Sequence, residues 1–200
     1  MSGIIQQTVD SETLRDQVRE AYSLAAAHPE GSSPFPIGEA FAASVGYPTK
    51  DLPAGASDVF TGVSNVAVWA PTRPGMTVLD LGCGGGLDAI LAGRRLKGEG
   101  RVVGLDFSAA MLNKARSHVA ATREPIISLV QAAAESMPFA DQSVELAMVN
   151  GLFNLNPRRR EIFLELARIV KAGGQVAGAE LVLREPLADR ERRSVDNWFS

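Results

Sequence analysis

Cysteine is almost absent from this chain: Cys83 is the only one in 200 residues. That excludes a disulfide framework and any all-cysteine metal site, and no metal is expected. Imidazoles are nearly as scarce, with His28 and His118 alone. No apolar run approaches the roughly 18 residues of a membrane span. The N-terminus carries acids and glutamines, without the basic n-region and apolar h-region of a signal peptide. There is no basic excess either. The net charge is −3, which argues against nucleic acid as an electrostatically held partner. Repeats and low-complexity tracts are missing. What remains, with 46% hydrophobic and 22% charged residues, is ordinary for a globular protein. A single cytoplasmic domain with a core of its own is expected.

The informative stretch is residues 78 to 106, VLDLGCGGGLDAILAGRRLKGEGRVVGLD. A run of apolar residues ends on Asp80 and opens into Gly82-Cys83-Gly84-Gly85-Gly86. A helical pattern follows, and a second apolar run ends on Asp106. Strand, glycine turn, helix and strand closed by an acid describe half of a nucleotide-binding parallel sheet, with its ligand at the carboxyl ends of the strands. A turn passing beneath a ligand needs backbone without Cβ and with access to positive φ. The helix beyond it offers free N–H groups and a positive dipole end. Asp106, twenty residues past Gly86, suits both hydroxyls of a ribose. Asp80 suits a cationic amino group and would repel a pyrophosphate, and the turn contains no basic residue. A ligand with a ribose and an amino acid but no phosphate fits these charges better than a nicotinamide dinucleotide, the oxidoreductase alternative.

On these residues the segment resembles the cofactor motif of class I S-adenosylmethionine-dependent methyltransferases. Residues 133–155 (AAESMPFADQSVELAMVNGLFNL) resemble the family's third and fourth motifs. Residues 165–183 (ELARIVKAGGQVAGAELVL) resemble its helix-turn-strand passage. The arsenite-methyltransferase-like subgroup is similar at Gly86 to Asp88, at Asn150 to Leu155 and at Glu180 to Leu183. That resemblance implies a Rossmann-like, doubly wound, mostly parallel sheet of the class I methyltransferase fold. It further implies that the chain stops short of the family's last two strands. Residues 1–65 would form a helical and loop lid, and 66–200 the S-adenosylmethionine-binding domain. The implied activity is methyl transfer from S-adenosylmethionine, with S-adenosylhomocysteine as product, to an unassigned small molecule. A domain that binds the cofactor without turnover is the alternative.

Along the chain, residues 1–10 read as a frayed end. Ser11 and the spacing Leu14, Val18, Tyr22, Ala25 predict a capped amphipathic helix. Residues 28–36 read as loop, 37–45 as a short helix and 46–65 mostly as loop. Strands are expected near 76–81, 101–105, 126–130, 144–149 and 175–183, and helices near 86–96, 108–121 and 158–170. Their alternation means a parallel sheet with right-handed crossovers. Gly173-Gly174 reads as a helix stop and turn, and a further helix is expected from Pro186. A strand edge left open near 175–183 invites a homodimer.

Candidate cofactor-binding residues are Tyr22, Asp80, Gly82, Gly84, Gly86, Asp88, Asp106, Phe107, Met111, Ala133, Ala134 and Asn150. Asp80 and Asp106 carry the amino-group and ribose roles, although each also suits a turn or helix cap. Asp88 reads either as a complement to the helix dipole or as a cofactor contact. By the resemblance, Phe107 and Met111 lie against the adenine, and Tyr22 is the aromatic of a covering helix. Core packing is the plainer reading of all three. Ala133 stands where relatives carry an adenine-binding carboxylate, leaving the Ala134 N–H or Glu135 to serve. Asn150 ends the fourth strand beside the expected methyl donor. His28 falls in the loop over the site, His118 reads as a solvated helix residue, Cys83 as structural, and Arg158 to Arg160 as a solvated face. No catalytic base is assigned. The subgroup binds trivalent arsenic through three cysteines. Two of those positions are Val63 and Gly151 here, and the third would lie beyond Ser200, so thiolate chemistry is not expected to be inherited.

Overall fold

The computed structural model describes residues 11–27, 36–122, 124 and 126–182. The expectations for residues 1–10, for His28 and its loop, and for a helix from Pro186 lie outside the described residues.

Five strands, β1 (Thr77–Leu81), β2 (Arg101–Asp106), β3 (Ile127–Gln131), β4 (Val144–Asn150) and β5 (Val170–Ala179), form one sheet in the order β3-β2-β1-β4-β5. All four pairings are parallel. Among the described residues six α-helices lie around it: α1 (Ser11–Ala27), α2 (Glu39–Ser44), α3 (Val66–Trp69), α4 (Leu87–Leu96), α5 (Ala109–Thr122) and α6 (Arg159–Ile169). This is the doubly wound architecture expected. The chain runs outward from β1 through β2 to β3, then crosses back to β4 on β1's other side. The strand order therefore reverses between β1 and β4, where such sheets hold a ligand beyond their carboxyl ends.

Burial explains why β1 and β4 read as nearly continuous apolar runs. Both faces of a parallel sheet are covered, so neither face can be polar. Neighbouring residues on a strand point to opposite sides. Val78 thus joins one core with Leu91, Leu96 and Met148, while Leu79 joins the other with Val149, Ile162 and Leu166. The segment expected as a lid shares the first of these cores. Ala42, Tyr47 and Phe60 are buried in it, and the Tyr47 and Phe60 rings meet edge to face with centroids 4.8 Å apart.

Three local readings are corrected. Gly173-Gly174 is not where the helix stops. α6 ends at Ile169, and Val170 is already extended and paired with Val144. Next in the ladder, Leu146 pairs with Gln175, so residues 171–174 bulge out of β5, with Gly173 at φ +79°. The helical spacing of apolar residues ran on past the point where strand pairing takes over. Second, β5 ends at Ala179, short of the expected 183. A short helix, α3, where no element was expected, sits where loop passes into sheet. Arg95 Nη1 supports its end, donating to the carbonyls of Ala67 and Val68 at 2.7 and 2.9 Å. Third, His118 is buried rather than solvated. Its Nδ1 lies 2.9 Å from the carbonyl oxygen of Gly85.

Among the described residues β5 is an edge strand paired only with β4. Val176 is 48% exposed upon it, and Leu181 and Val182 beyond its end are more exposed still. No helix among the described residues is long and apolar enough to cross a membrane.

Candidate functional site

The reversal of strand order leaves a cleft of about 1020 Å³, counting its open mouth, over the carboxyl ends of β1, β2 and β4. Its floor is the turn after β1. The N–H groups of Gly82 and Cys83 both donate to the carbonyl of Leu105, at 2.8 and 3.0 Å, which ties the turn to β2. Two glycines there are closely approached by side chains, which would have to shift for a larger residue. A Cβ on Gly82, at φ +76°, would stand 2.6 Å from Leu152 Cδ1, and one on Gly85 would stand 2.4 Å from Val59 Cγ2. Gly84 differs, since a Cβ there would meet nothing within 4 Å. It lines the cleft, so its bare backbone faces open space.

Three carboxylates surround this floor, and each is at most 6% exposed. Asp106 closes β2 and is held from two sides: Gly84 N–H donates to Oδ2 and Ser108 N–H to Oδ1, both at 2.8 Å. Burial raises its pKa against the pull of those donors. Asp88, in the first turn of α4, is saturated. Its Oδ1 accepts from the Tyr47 hydroxyl at 2.5 Å and the Ala67 N–H at 3.2 Å, and its Oδ2 accepts from Asn150 Nδ2 at 2.9 Å. Burial raises its pKa too, opposed by these donors. Asp80 is different. It is 2% exposed, and its Oδ2 has no hydrogen-bond partner among the described residues. Burial, and secondarily the neighbouring Asp88, hold its carboxyl well above the usual range, with the Ala89 N–H opposing. A buried carboxylate oxygen without a donor is costly. It is the one group on the floor that asks for a positively charged donor.

The roof is held by Asn150. Its Oδ1 accepts from the N–H groups of Val63 and Ser64 at 2.8 and 3.1 Å, and its Nδ2 donates to the Ser64 carbonyl at 2.7 Å. With Tyr47 and Asp88 it clamps the 61–65 segment onto the strand ends. Further lining comes from Val18 and Tyr22 of α1, from Val59 to Gly62, and from the turn carrying Leu152 and Leu155. Burial raises the Tyr22 phenol above its ordinary pKa, with a contact to Thr61 opposing.

Of the twelve residues singled out from sequence, nine line the cleft: Tyr22, Asp80, Gly82, Gly84, Asp88, Asp106, Phe107, Ala134 and Asn150. Gly86, Met111 and Ala133 do not. Gly86 starts α4 at φ +85°, and a Cβ there would point at Ala115, 3.2 Å away. Met111 is fully buried in a cluster with Val59. Ala133 gives its carbonyl to Ser136 N–H in a turn, while its neighbour Ala134 faces the cleft. Asp88 and Asn150 spend their polar atoms on each other and on the roof. Cys83 lines the cleft, but burial pushes its thiol well up, so it is not a thiolate. Sequence reasoning missed Val59, Thr61 and Leu152, which sit in irregular segments without periodicity. It also missed Tyr47, whose only signal was an aromatic beside a proline. Glu135, weighed as a substitute for the carboxylate missing at Ala133, lines the cleft and accepts from Asn156 Nδ2 at 3.1 Å.

Residues 78–174 match the family described as a methyltransferase domain. The chain is 32% identical over 155 residues to the arsenite methyltransferase of Halobacterium salinarum, covering 76% of this chain and 40% of that protein. It is 38% identical over 111 residues to the demethylmenaquinone methyltransferase of Desulfitobacterium hafniense, covering 54% of this chain and 44% of that one. The chain thus spans less than half the length of either relative. Among solved structures, the arsenic(III) S-adenosylmethionine methyltransferase of Chlamydomonas reinhardtii superposes with a TM-score of 0.66 at 26% identity, over 78% of this chain and 54% of that one.

Proposed function

We propose that this chain, which belongs to the S-adenosylmethionine-dependent methyltransferase family, binds that cofactor in the cleft and methylates a small-molecule acceptor. The observation that carries the reading is Asp80, a buried carboxylate with an unpartnered oxygen on the floor of a glycine cradle. It fits the amino group of an amino-acid ligand. Asp106 fits a pair of ribose hydroxyls, in exchange for one of the backbone donors it now holds. Phe107 and Ala134 supply an apolar face and a free edge for a base, and the bare backbone of Gly84 leaves room for close approach. When bound, S-adenosylmethionine supplies a methyl group already activated on a sulfonium. The protein's part is to orient two reactants and exclude water, which alone is worth several powers of ten in rate. Asn150 and Asp88 serve by holding the roof rather than by touching the reacting atoms.

Trivalent arsenic is not the acceptor in this reading, although relatives act on it. At the two subgroup cysteine positions stand Val63 and Gly151, and a Cβ on Gly151 would lie 3.2 Å from Val63 Cγ1. The pair of positions that would share a soft ion is therefore filled by a valine and a hydrogen atom. Incubation with arsenite, thiol and cofactor is expected to yield no methylated arsenic above background.

The test of the site is calorimetry with S-adenosylhomocysteine. The parent should bind without added metal, and Asp106→Ala should weaken binding by about 1–3 kcal/mol, the range for losing charge-assisted hydrogen bonds. No affinity in the parent, or equal affinity in the variant, overturns the assignment. A parent that binds but consumes no donor with any acceptor supports the idle-domain alternative.

A further inference from the structure

The glycine turn on the cleft floor cannot define its own shape. Gly84, Gly85 and Gly86 follow one another, with Gly84 and Gly86 at φ +50° and +85°, and no residue type has more conformational freedom to lose. Its geometry is set by fastenings. Gly82 and Cys83 are tied to the Leu105 carbonyl, Gly84 N–H to Asp106, and Gly86 N–H closes the turn on the Cys83 carbonyl at 2.8 Å. The carbonyl of Gly85 is held by a side chain instead. His118 of α5 is 9% exposed, and its Nδ1 lies 2.9 Å from that oxygen. A carbonyl oxygen only accepts, so Nδ1 carries the proton and Nε2 is bare in the neutral ring. The placement is built into α5. Ala115 is small where a Cβ on Gly86 would come within 3.2 Å, and His118 follows on the same buried stripe. A Cβ on Gly85 would meet Val59 Cγ2 at 2.4 Å and His118 Nδ1 at 3.7 Å. The ring's other edge faces the segment leading to the roof, with Nε2 3.9 Å from the place a Gly55 Cβ would take.

We propose that His118 is a positioning residue of the cofactor site, its Nδ1–H fixing the Gly85 carbonyl so that the turn is preset for its ligand. This rests on the cofactor reading above. In that reading a ribose displaces one of the two backbone donors that Asp106 holds, Gly84 N–H or Ser108 N–H. The His118 bond takes part in no such exchange, so it keeps the turn's shape in the free and the loaded protein alike. A floor ordered before the ligand arrives leaves less freedom to be lost on binding. Without that donor, binding itself must order the turn, and affinity falls.

The experiment compares His118→Leu with His118→Asn. The two new side chains share one shape, both smaller than imidazole, and only Asn carries a donor, branching from Cγ where Nδ1 does. S-adenosylhomocysteine is titrated calorimetrically into the parent and both variants, with denaturant titration of each as a separate measure of stability. His118→Leu is expected to bind at least tenfold more weakly than the parent, and His118→Asn within threefold of it. Amide exchange at Gly84 to Gly86 should be faster in the Leu variant than in the other two proteins. A Leu variant that binds like the parent overturns the proposal. So does an Asn variant as weak as the Leu one, since ring volume and not the donor would then decide affinity. Should neither variant fold, the imidazole nitrogen spectrum of the parent in alkaline buffer decides, with His28 as the chain's only other ring. Nδ1 protonated and Nε2 bare is expected at His118, and a proton on Nε2 alone overturns the proposal. A parent without affinity for S-adenosylhomocysteine removes the cofactor reading and this proposal with it, whereas three proteins that bind alike remove the proposal only.

Discussion

Asp80 is a liability until its ligand arrives. Its pKa is raised in the folded protein, chiefly by burial. Such a group contributes stability fully below its unfolded value, near 4, and loses it as pH rises through the higher folded value. The ligand-free protein should therefore be less stable at pH 7 than just above pH 4, as far as this group decides. Asp80→Asn removes the charge and should raise the melting temperature of the free protein at pH 7, a gain on the order of 1 kcal/mol. The same change should cost most of the cofactor affinity. An ammonium beside Asp80 favours the carboxylate, so cofactor affinity in the parent should climb with pH and binding should release a proton. Calorimetry in two buffers of different ionisation enthalpy measures that release, and scanning calorimetry measures the stability. An unstabilised variant that still binds would mean the orphaned oxygen is not the amino-group site.

At the scale of elements, Tyr47, Asp88 and Asn150 join the loop after α2, the first turn of α4 and the end of β4 into one clamp on residues 63 and 64. Tyr47→Phe removes one donor from Asp88 and one partner of Asn150, leaving buried polar groups short of a bond. A loss of about 1–3 kcal/mol in stability follows from that deficit, read by denaturant titration. Faster amide exchange at Val63 and Ser64 should accompany it, and unchanged exchange there would show that the clamp does not hold the roof. Elements differed in how much their sequence disclosed. Asp80, the glycine turn and Asp106 were legible because strand, turn and helix follow one another locally with fixed spacing. His118 was misread, yet Met111, Ala115 and His118 fall at helical spacing on the buried stripe of α5, a signal outweighed by the polar neighbours Arg116 and Ser117. Tyr47 and Leu152 were not legible, because their roles come from partners far along the chain. The bulge in β5 was hidden for a related reason: pairing with β4, not local preference, begins the strand at Val170.

For the molecule as a whole, the β5 side of the described sheet bears on behaviour in solution. Among the described residues no strand pairs with the outer side of β5, and Val176, Leu181 and Val182 are exposed close by; such an edge is a template for another strand. We expect a homodimer through this edge, seen as a rise in scattering mass with protein concentration. A mass that stays monomeric at all concentrations would remove the dimer while leaving the cleft untouched.

Asn150 is joined to Ser64 across 86 residues and to Tyr47 across 103. During synthesis, a chain that has emerged as far as β3 already owns the glycine turn and Asp106, yet lacks the Asn150 bonds that fix residues 63 and 64 to the strand ends. The pocket acquires its ceiling only when the fourth strand docks against the first, so its assembly belongs to the late, slow part of folding, where distant contacts are made. A ligand that requires both floor and ceiling binds only finished molecules, and by mass action it withdraws them from the unfolded pool.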